Sequence, residues 1–350
     1  MSIASNNAVI AKSRALYGKR LTNEQYDDLV KCKSVPEIAT YLKTNTIYSK
    51  ALENINEVTI HRGQLEVLLQ KEAFNNYARL YHYLNKTEDN LFHLIIEEFE
   101  LQEILRMILL LKADSPKDFI VSLPGFLISR CHIDLLGLAK VRSYDELLNF
   151  LRGTDYYEIL IKFKPTKEEP HINYVGCEHY LYERFFKRLF NLVRRHTKGT
   201  ERLELRRVFG IRLDHLNICS IYRSKVLFKD DPKKIKQRIF PFYKLLSKEK
   251  IDEIISTTTD EQVINLLKNL FVSKNIINKV AKNENFYIES YASRLNYRIC
   301  KNYLHISKNV STVFYAFYTL SQIEISNLIY IIEGVRYKLP SGEIEDLLVR

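Results

Sequence analysis

The 350-residue sequence has only 10 glycines and 8 prolines, too few turn-makers for the many short strands of an all-β fold. No apolar run approaches the roughly 20 residues that span a bilayer. The best, Ile104 to Leu111, is interrupted by Arg106 and stopped by Lys112. The five cysteines (Cys32, Cys131, Cys177, Cys219, Cys300) are odd in number, far apart and never in a CxxC pair. That pattern argues against a disulfide framework and a zinc site, and it fits a reducing cytoplasm. There is no GxxxxGK[ST], GxGxxG or HExxH, and Gly199 and Gly210 are not spaced to cradle a phosphate, so nucleotide binding is not expected.

Catalytic groups are equally sparse. No two of the nine histidines lie at i, i+4; His93 with Glu97 and His179 with Glu183 have that spacing, but neither pair has an evident third ligand. His93 and His215 read as packing residues. Adjacent Glu97 and Glu98 point about 100° apart on a helix, which suits a solvated face better than an acid–base pair. No catalytic residue, metal site, cofactor or small-molecule substrate is expected.

What is present is ordinary in amount, with 46% hydrophobic and 27% charged residues, but the net charge is +11. Such a surface attracts anionic partners, whether nucleic acid, lipid headgroups or an acidic protein face. The first 20 residues carry Lys12, Arg14, Lys19 and Arg20 without an acid. With no apolar segment or small-residue cleavage site following, they read as a basic amphipathic helix rather than a targeting peptide.

The chain repeats itself. Lys31, Lys33, Ser34, Val35, Glu37, Ile38, Tyr41, Leu42, Lys43 and Tyr48 recur 109 residues on as Lys140, Arg142, Ser143, Tyr144, Glu146, Leu147, Phe150, Leu151, Arg152 and Tyr157. A weaker third copy places Thr259, Gln262, Val263, Leu266, Leu267 and Lys268 where Ser34, Glu37, Ile38, Tyr41, Leu42 and Lys43 stand. In each, a Ser or Thr precedes apolar residues at i, i+3 and i+4, which predicts a short capped helix.

A second element also recurs. Glu100, Ile104, Met107, Ile108, Leu111, Lys112, Pro116 and Ile120 match Glu324, Leu328, Ile331, Ile332, Val335, Arg336, Pro340 and Ile344, always 224 residues apart. A middle copy runs Asp214, Ile218, Ile221, Tyr222 and Lys225, then slips by one or two residues before Pro232 and Ile235. Acid first, base last and proline after describe a long helix with a stop. Leu65 to Tyr83, Tyr182 to Val193 and Tyr287 to Tyr303 also read as long amphipathic helices. Ser122 to Phe126 and Lys229 to Pro241 read as boundaries, and Phe163 to Cys177 as the most loop-like stretch. The expected fold is all-α, with three homologous units of about 110 residues, at 1–122, 123–235 and 236–350, forming a pseudo-threefold body.

The strongest charge signal runs from Arg184 to Arg212: ten cations against Glu201 and Glu204, with Phe185, Phe186, Phe190 and Phe209 interleaved. A nucleic-acid surface could look like this, although no recognised nucleic-acid-binding motif is present. The same run is amphipathic, with Leu181, Phe185, Leu189 and Leu192 forming a separate apolar stripe. Arg184, Lys187, Arg188, Arg195, Arg202 and Arg206 are the candidate interaction surface, and a protein partner with an acidic face is the simpler expectation. A basic helical-repeat nucleic-acid-binding or scaffold protein is the alternative.

The chain's tail is Glu324, Asn327, Leu328, Glu333, Gly334, Arg336, Leu339, Pro340, Glu343, Ile344 and Leu347. Near its start stand Ala11, Arg14, Leu21, Thr22, Tyr26, Leu29, Glu37, Leu42 and Tyr48. Together with the order of the repeats, these residues resemble the C (prokaryotic) or d (eukaryotic) subunit family of V-type and A-type ATPases. Glu333 departs from it, standing where many relatives carry arginine. The resemblance implies a catalytically silent, funnel-shaped cap on the membrane proteolipid rotor ring. The shaft subunits of D and F type would enter its open side, and torque would pass between ATP chemistry and proton or sodium movement. It further implies a cytoplasmic location, at the membrane through the ring. On that basis, reversing Arg184, Arg188 and Arg195 to Glu is expected to weaken shaft or ring association more than it lowers thermal stability.

Overall fold

The computed structural model describes residues 3–81, 91–121, 123–241, 246–273 and 288–350. Ser122 of the first expected boundary, His82 and Tyr83 of the first expected long helix, and Tyr287 of the third lie outside these residues. The described residues form helices and no strand. In chain order the α-helices are α1 (Ile3–Gly18), α2 (Asn23–Lys31), α3 (Val35–Asn45), α4 (Arg62–Tyr81), α5 (Leu94–Lys112) and α6 (Asp118–Val121). There follow α7 (Leu135–Leu138), α8 (Tyr144–Phe150), α9 (Asp155–Leu160), α10 (Tyr174–His196), α11 (Gly199–Tyr222) and α12 (Pro232–Gln237). The last are α13 (Lys248–Ser256), α14 (Asp260–Ser273), α15 (Ile288–Ile306), α16 (Val310–Arg336) and α17 (Ser341–Leu347).

The repeated short helices start alike because they carry the same capping chemistry. Ser34 Oγ accepts from Glu37 N (3.3 Å), Ser143 Oγ from Glu146 N (3.2 Å) and Thr259 Oγ1 from Gln262 N (3.3 Å). The residue three on reaches back in every copy: Glu37 accepts from Lys33 N (2.7 Å), Glu146 from Arg142 N (2.8 Å) and Gln262 from Thr258 N (3.2 Å). Each side-chain cap satisfies an otherwise orphaned N–H and contributes about 1 kcal/mol.

The long repeated helices end alike too. Among the described non-glycine residues with positive φ are Asp114 (54°), Lys229 (54°) and Lys338 (57°), one just past each long helix. Ser115 N donates to Leu110 O and Leu339 N to Gly334 O, both at 2.9 Å, closing a Schellman-type end. In the middle copy a π-helical turn, Arg223–Leu227, precedes that end, and Phe228 N donates to Arg223 O (2.9 Å). The wider turn takes in extra chain, which accounts for the slip in the middle repeat. Lys338 is exposed and adopts a conformation that glycine enters without a Cβ penalty. Lys338→Gly is therefore expected to raise stability by about 0.5–1 kcal/mol, read as a higher urea midpoint at unchanged slope.

By their contacts the helices fall into two compact units, Met1–Leu84 with Lys198–Arg350, and Asn85–Thr197. In the first, α1, α4, α11 and α15 pack on α16. That helix is buried at every position from Val310 to Phe317, as a helix surrounded by others must be. Further along α16 burial narrows to a stripe, and Leu328, Ile331 and Ile332 meet Leu29, Ile38 and Leu42 of α2 and α3 and Ile344 of α17 in one core. The first short-helix copy thus packs on a helix from the far end of the chain. A second core joins Ile218 and Ile221 of α11 to Ile251, Ile254, Val263 and Leu267 of α13 and α14. Arg14 of the basic first helix donates to Leu304 O and Ser307 O, both at 2.8 Å, capping the carbonyls where α15 ends.

In the unit Asn85–Thr197, α5 packs against α10 and α7, and α9 against α10. The expected helix from Tyr182 to Val193 starts earlier, at Tyr174, with Asn173 Oδ1 accepting from Gly176 N (2.9 Å). Gly176 and Cys177 are therefore helical, contrary to the loop-like reading of that stretch. Glycine is needed at Gly334, where a Cβ would lie 2.6 Å from Ile344 Cγ1. Gly334→Ala is expected to cost about 1–3 kcal/mol by overpacking this core, measured as a lower urea midpoint. A change within the error of that measurement would show that α17 yields freely.

Candidate interaction surface

The basic run is divided. Arg184, Lys187, Arg188 and Arg195 lie on α10 in the unit Asn85–Thr197; Arg202 and Arg206 lie on α11 in the other unit. On α10 two of the cations are engaged internally. Arg184 Nη1 donates to Glu97 Oε1 (2.8 Å) and Nη2 to Asp155 Oδ2 (2.5 Å), and the guanidinium lies 5.0 Å from the Tyr156 ring centroid. Arg188 Nε reaches the other oxygen of Glu97 (2.9 Å). The Arg184 guanidinium holds the Asp155 carboxyl below its ordinary range. Lys187 pairs with Glu183 (2.7 Å) on the same helix.

Glu97 and Glu98 are buried, which corrects the expectation of a solvated face. The sequence shows two acids on a helix but not the arginines that approach Glu97 from α10. Charge reversal at Arg184 or Arg188 therefore acts first on the fold, and Arg195, exposed, is the better surface probe. Arg206 is exposed and Arg202 half-buried. Glu204 faces inward, accepting from Ser307 Oγ (2.6 Å) and Asn309 Nδ2 (2.8 Å) between α15 and α16.

Apolar side chains that periodicity does not single out stand exposed near the ends of the long repeated helices. Leu227 and Phe228 follow α11, with Phe228 63% exposed. Tyr337 and Leu339 follow α16, and Val121 closes α6 after α5. Exposed residues of this kind are candidates for contact with a partner.

The acids of the long helices form a repeated internal device. Each helix carries a polar pair at i, i+3: Glu100 and Glu103 in α5, Asp214 and Asn217 in α11, Glu324 and Asn327 in α16. Glu324 accepts from Tyr48 Oη (2.7 Å) and Leu21 N (3.2 Å). Glu100 accepts from Tyr156 Oη (3.4 Å) and from His132 N. In both cases a carboxylate ties a tyrosine and a backbone N–H from the short-helix region to the long helix. Asn327 exchanges two hydrogen bonds with the backbone of Val349 (2.7 and 3.0 Å), and Asn217 does the same with Phe240 (3.1 and 2.9 Å). At the equivalent position Glu103 pairs with Arg106 instead.

Desolvation pushes the Glu103 carboxyl up despite its arginine, and pushes Glu324 up despite the bonds from Tyr48 and Leu21. The aligned acids stand out in the repeats, whereas Asn217 and Glu103 do not. Their signal is the i+3 offset from each acid. Among the described residues, no group of three His, Cys, Asp or Glu is placed to hold a metal ion, and no helix is long and apolar enough to cross a membrane.

These features define an all-helical protein built on repeated helix-and-cap modules, whose buried carboxylates and amides serve to lock helices together. The sequence profile described as ATP synthase (C/AC39) subunit matches residues 9–347. The chain belongs to that family. It is similar to the A-type ATP synthase C subunit of Thermococcus kodakarensis, 24% identical over 220 residues, which are 62% of this chain and 56% of that protein. It is also similar to the corresponding A-type ATP synthase subunits of Desulfurococcus sp. (23% over 216 residues, 61% and 56%) and of Pyrococcus abyssi (24% over 228 residues, 64% and 58%). The match spans a little over half the length of these relatives.

Proposed function

We propose that this chain is a non-catalytic central-stalk subunit of a rotary V-type or A-type ATPase. It links shaft subunits of D and F type to the proteolipid ring, passes torque between them, and sits peripherally at the membrane on its cytoplasmic side. The observation that carries this reading is the repeated helix-and-cap module in a chain of the ATP synthase (C/AC39) subunit family. A torque coupling needs stiffness and distributed contacts, which interlocked helices provide, and needs neither nucleophile nor metal. Three such modules, built on α5, α11 and α16, would give the pseudo-threefold funnel, and sequence units 1–122, 123–235 and 236–350 remain the proposed evolutionary repeats.

Co-expression with the shaft subunits and the ring tests this. The chain is expected to co-purify with both, and co-purification with neither would refute the role. Phe228→Asp is expected to weaken binding to one of them about tenfold or more while leaving the thermal midpoint unchanged, because the side chain is exposed. The nucleic-acid alternative predicts salt-sensitive binding to random DNA or RNA. It is less favoured because Arg184 and Arg188 are engaged by Glu97.

A further inference from the structure

Within the unit formed by Met1–Leu84 and Lys198–Arg350, a cavity of about 330 Å³ opens among the end of α1, the start of α2, α15 and α16. Three cations line it, of which Arg20 and Lys301 are both half-buried. Arg20 lies 4.1 Å from the Tyr17 ring centroid and donates to Tyr17 O (3.2 Å). Lys301 lies 5.5 Å from the Tyr297 centroid. Neither makes an ion pair among the described residues. The third cation on the wall, Arg350, is held by Asp27 at 2.7 Å.

Of the carboxylates that line the cavity, Glu324 is felt by Arg20, which favours its charged form across space without a direct ion pair. Glu24 is exposed in the first turn of α2, and Glu324 takes the Tyr48 hydroxyl and the Leu21 N–H. The hydroxyls of Tyr17 and Tyr297, 3.3 Å apart, add polar character to the same wall. A half-buried cation without a direct ion pair recovers only part of the hydration it has lost, and a bound anion would supply more. Phosphoryl oxygens suit both a guanidinium fork and an ammonium. The volume leaves room for an organic portion against Tyr297 and Ile323.

We propose that this cavity binds a small phosphorylated ligand, its phosphoryl group held between Arg20 and Lys301. This is a function separate from torque coupling, and its test needs no partner subunit. The full chain is titrated calorimetrically in phosphate-free, low-salt buffer with AMP, inorganic phosphate and adenosine. Saturable binding of AMP and of phosphate is expected, with AMP at least about tenfold tighter than adenosine. Arg20→Gln and Lys301→Gln are each expected to weaken AMP binding about tenfold or more while the chain keeps a single cooperative thermal transition. Absence of saturable binding by both AMP and phosphate into the millimolar range would overturn the proposal. So would adenosine binding as tightly as AMP, or unchanged AMP affinity in the Arg20→Gln, Lys301→Gln double variant.

Discussion

Arg184→Glu is expected to destabilise the unit Asn85–Thr197 by about 3 kcal/mol, far more than the same reversal at Arg195. The arginine bridges Glu97 on α5 and Asp155 on α9, two of the elements that pack on α10. Replacing it sets a third carboxylate beside them, with Arg188 as the remaining cation on Glu97. Removing one partner of a buried pair costs about 3–5 kcal/mol; the lower end applies here because the Arg184 side chain keeps 21% exposure. Arg195 is exposed, and its reversal should stay within about 0.5 kcal/mol. Hydrogen exchange of α5 amides reports on this unit specifically, and equal protection in the two variants would refute the ion cluster as a structural tie.

Glu324→Ala should cost a similar amount, about 2–4 kcal/mol, because it orphans the Tyr48 hydroxyl and the Leu21 N–H together. The buried Tyr48 side chain lies in the core that α2 and α3 share with α16. Glu324→Gln separates charge from shape. Burial raises the Glu324 carboxyl above its ordinary value in the folded protein, so its contribution is fully present below the unfolded carboxylate range, near pH 4. That contribution is lost as pH rises toward the folded value. Wild type should therefore lose stability relative to Glu324→Gln as pH increases through that window, by at most about 1.4 kcal/mol per pH unit. Urea unfolding of both proteins at a series of pH values measures the difference, and a difference that grows in favour of wild type with rising pH would refute the raised carboxyl.

Much of the fold is legible in the chain because the signals are local. Ser34, Ser143 and Thr259 mark helix starts through bonds that span three residues. The 224-residue register between Glu100 and Glu324 foretells equivalent helices, and their ends at Asp114 and Lys338 share the same left-handed backbone. Even the slip in the middle copy has a local cause, the π-turn at Arg223–Leu227. The candidate surface was less legible. Arg184 reads as one more exposed cation until Glu97, 87 residues away, is placed against it.

The sequence by itself determined where the recurring capped helices begin and that the body is helical, because capping, periodicity and chain reversal depend on residues within one or two turns. Only the tertiary structure decided which charges are buried and what they hold. Glu324 meets Tyr48 across 276 residues, and Arg14 meets the end of α15 across 290. A carboxylate leaves water only where distant segments supply donors to replace it, and that supply is a property of packing, not of periodicity.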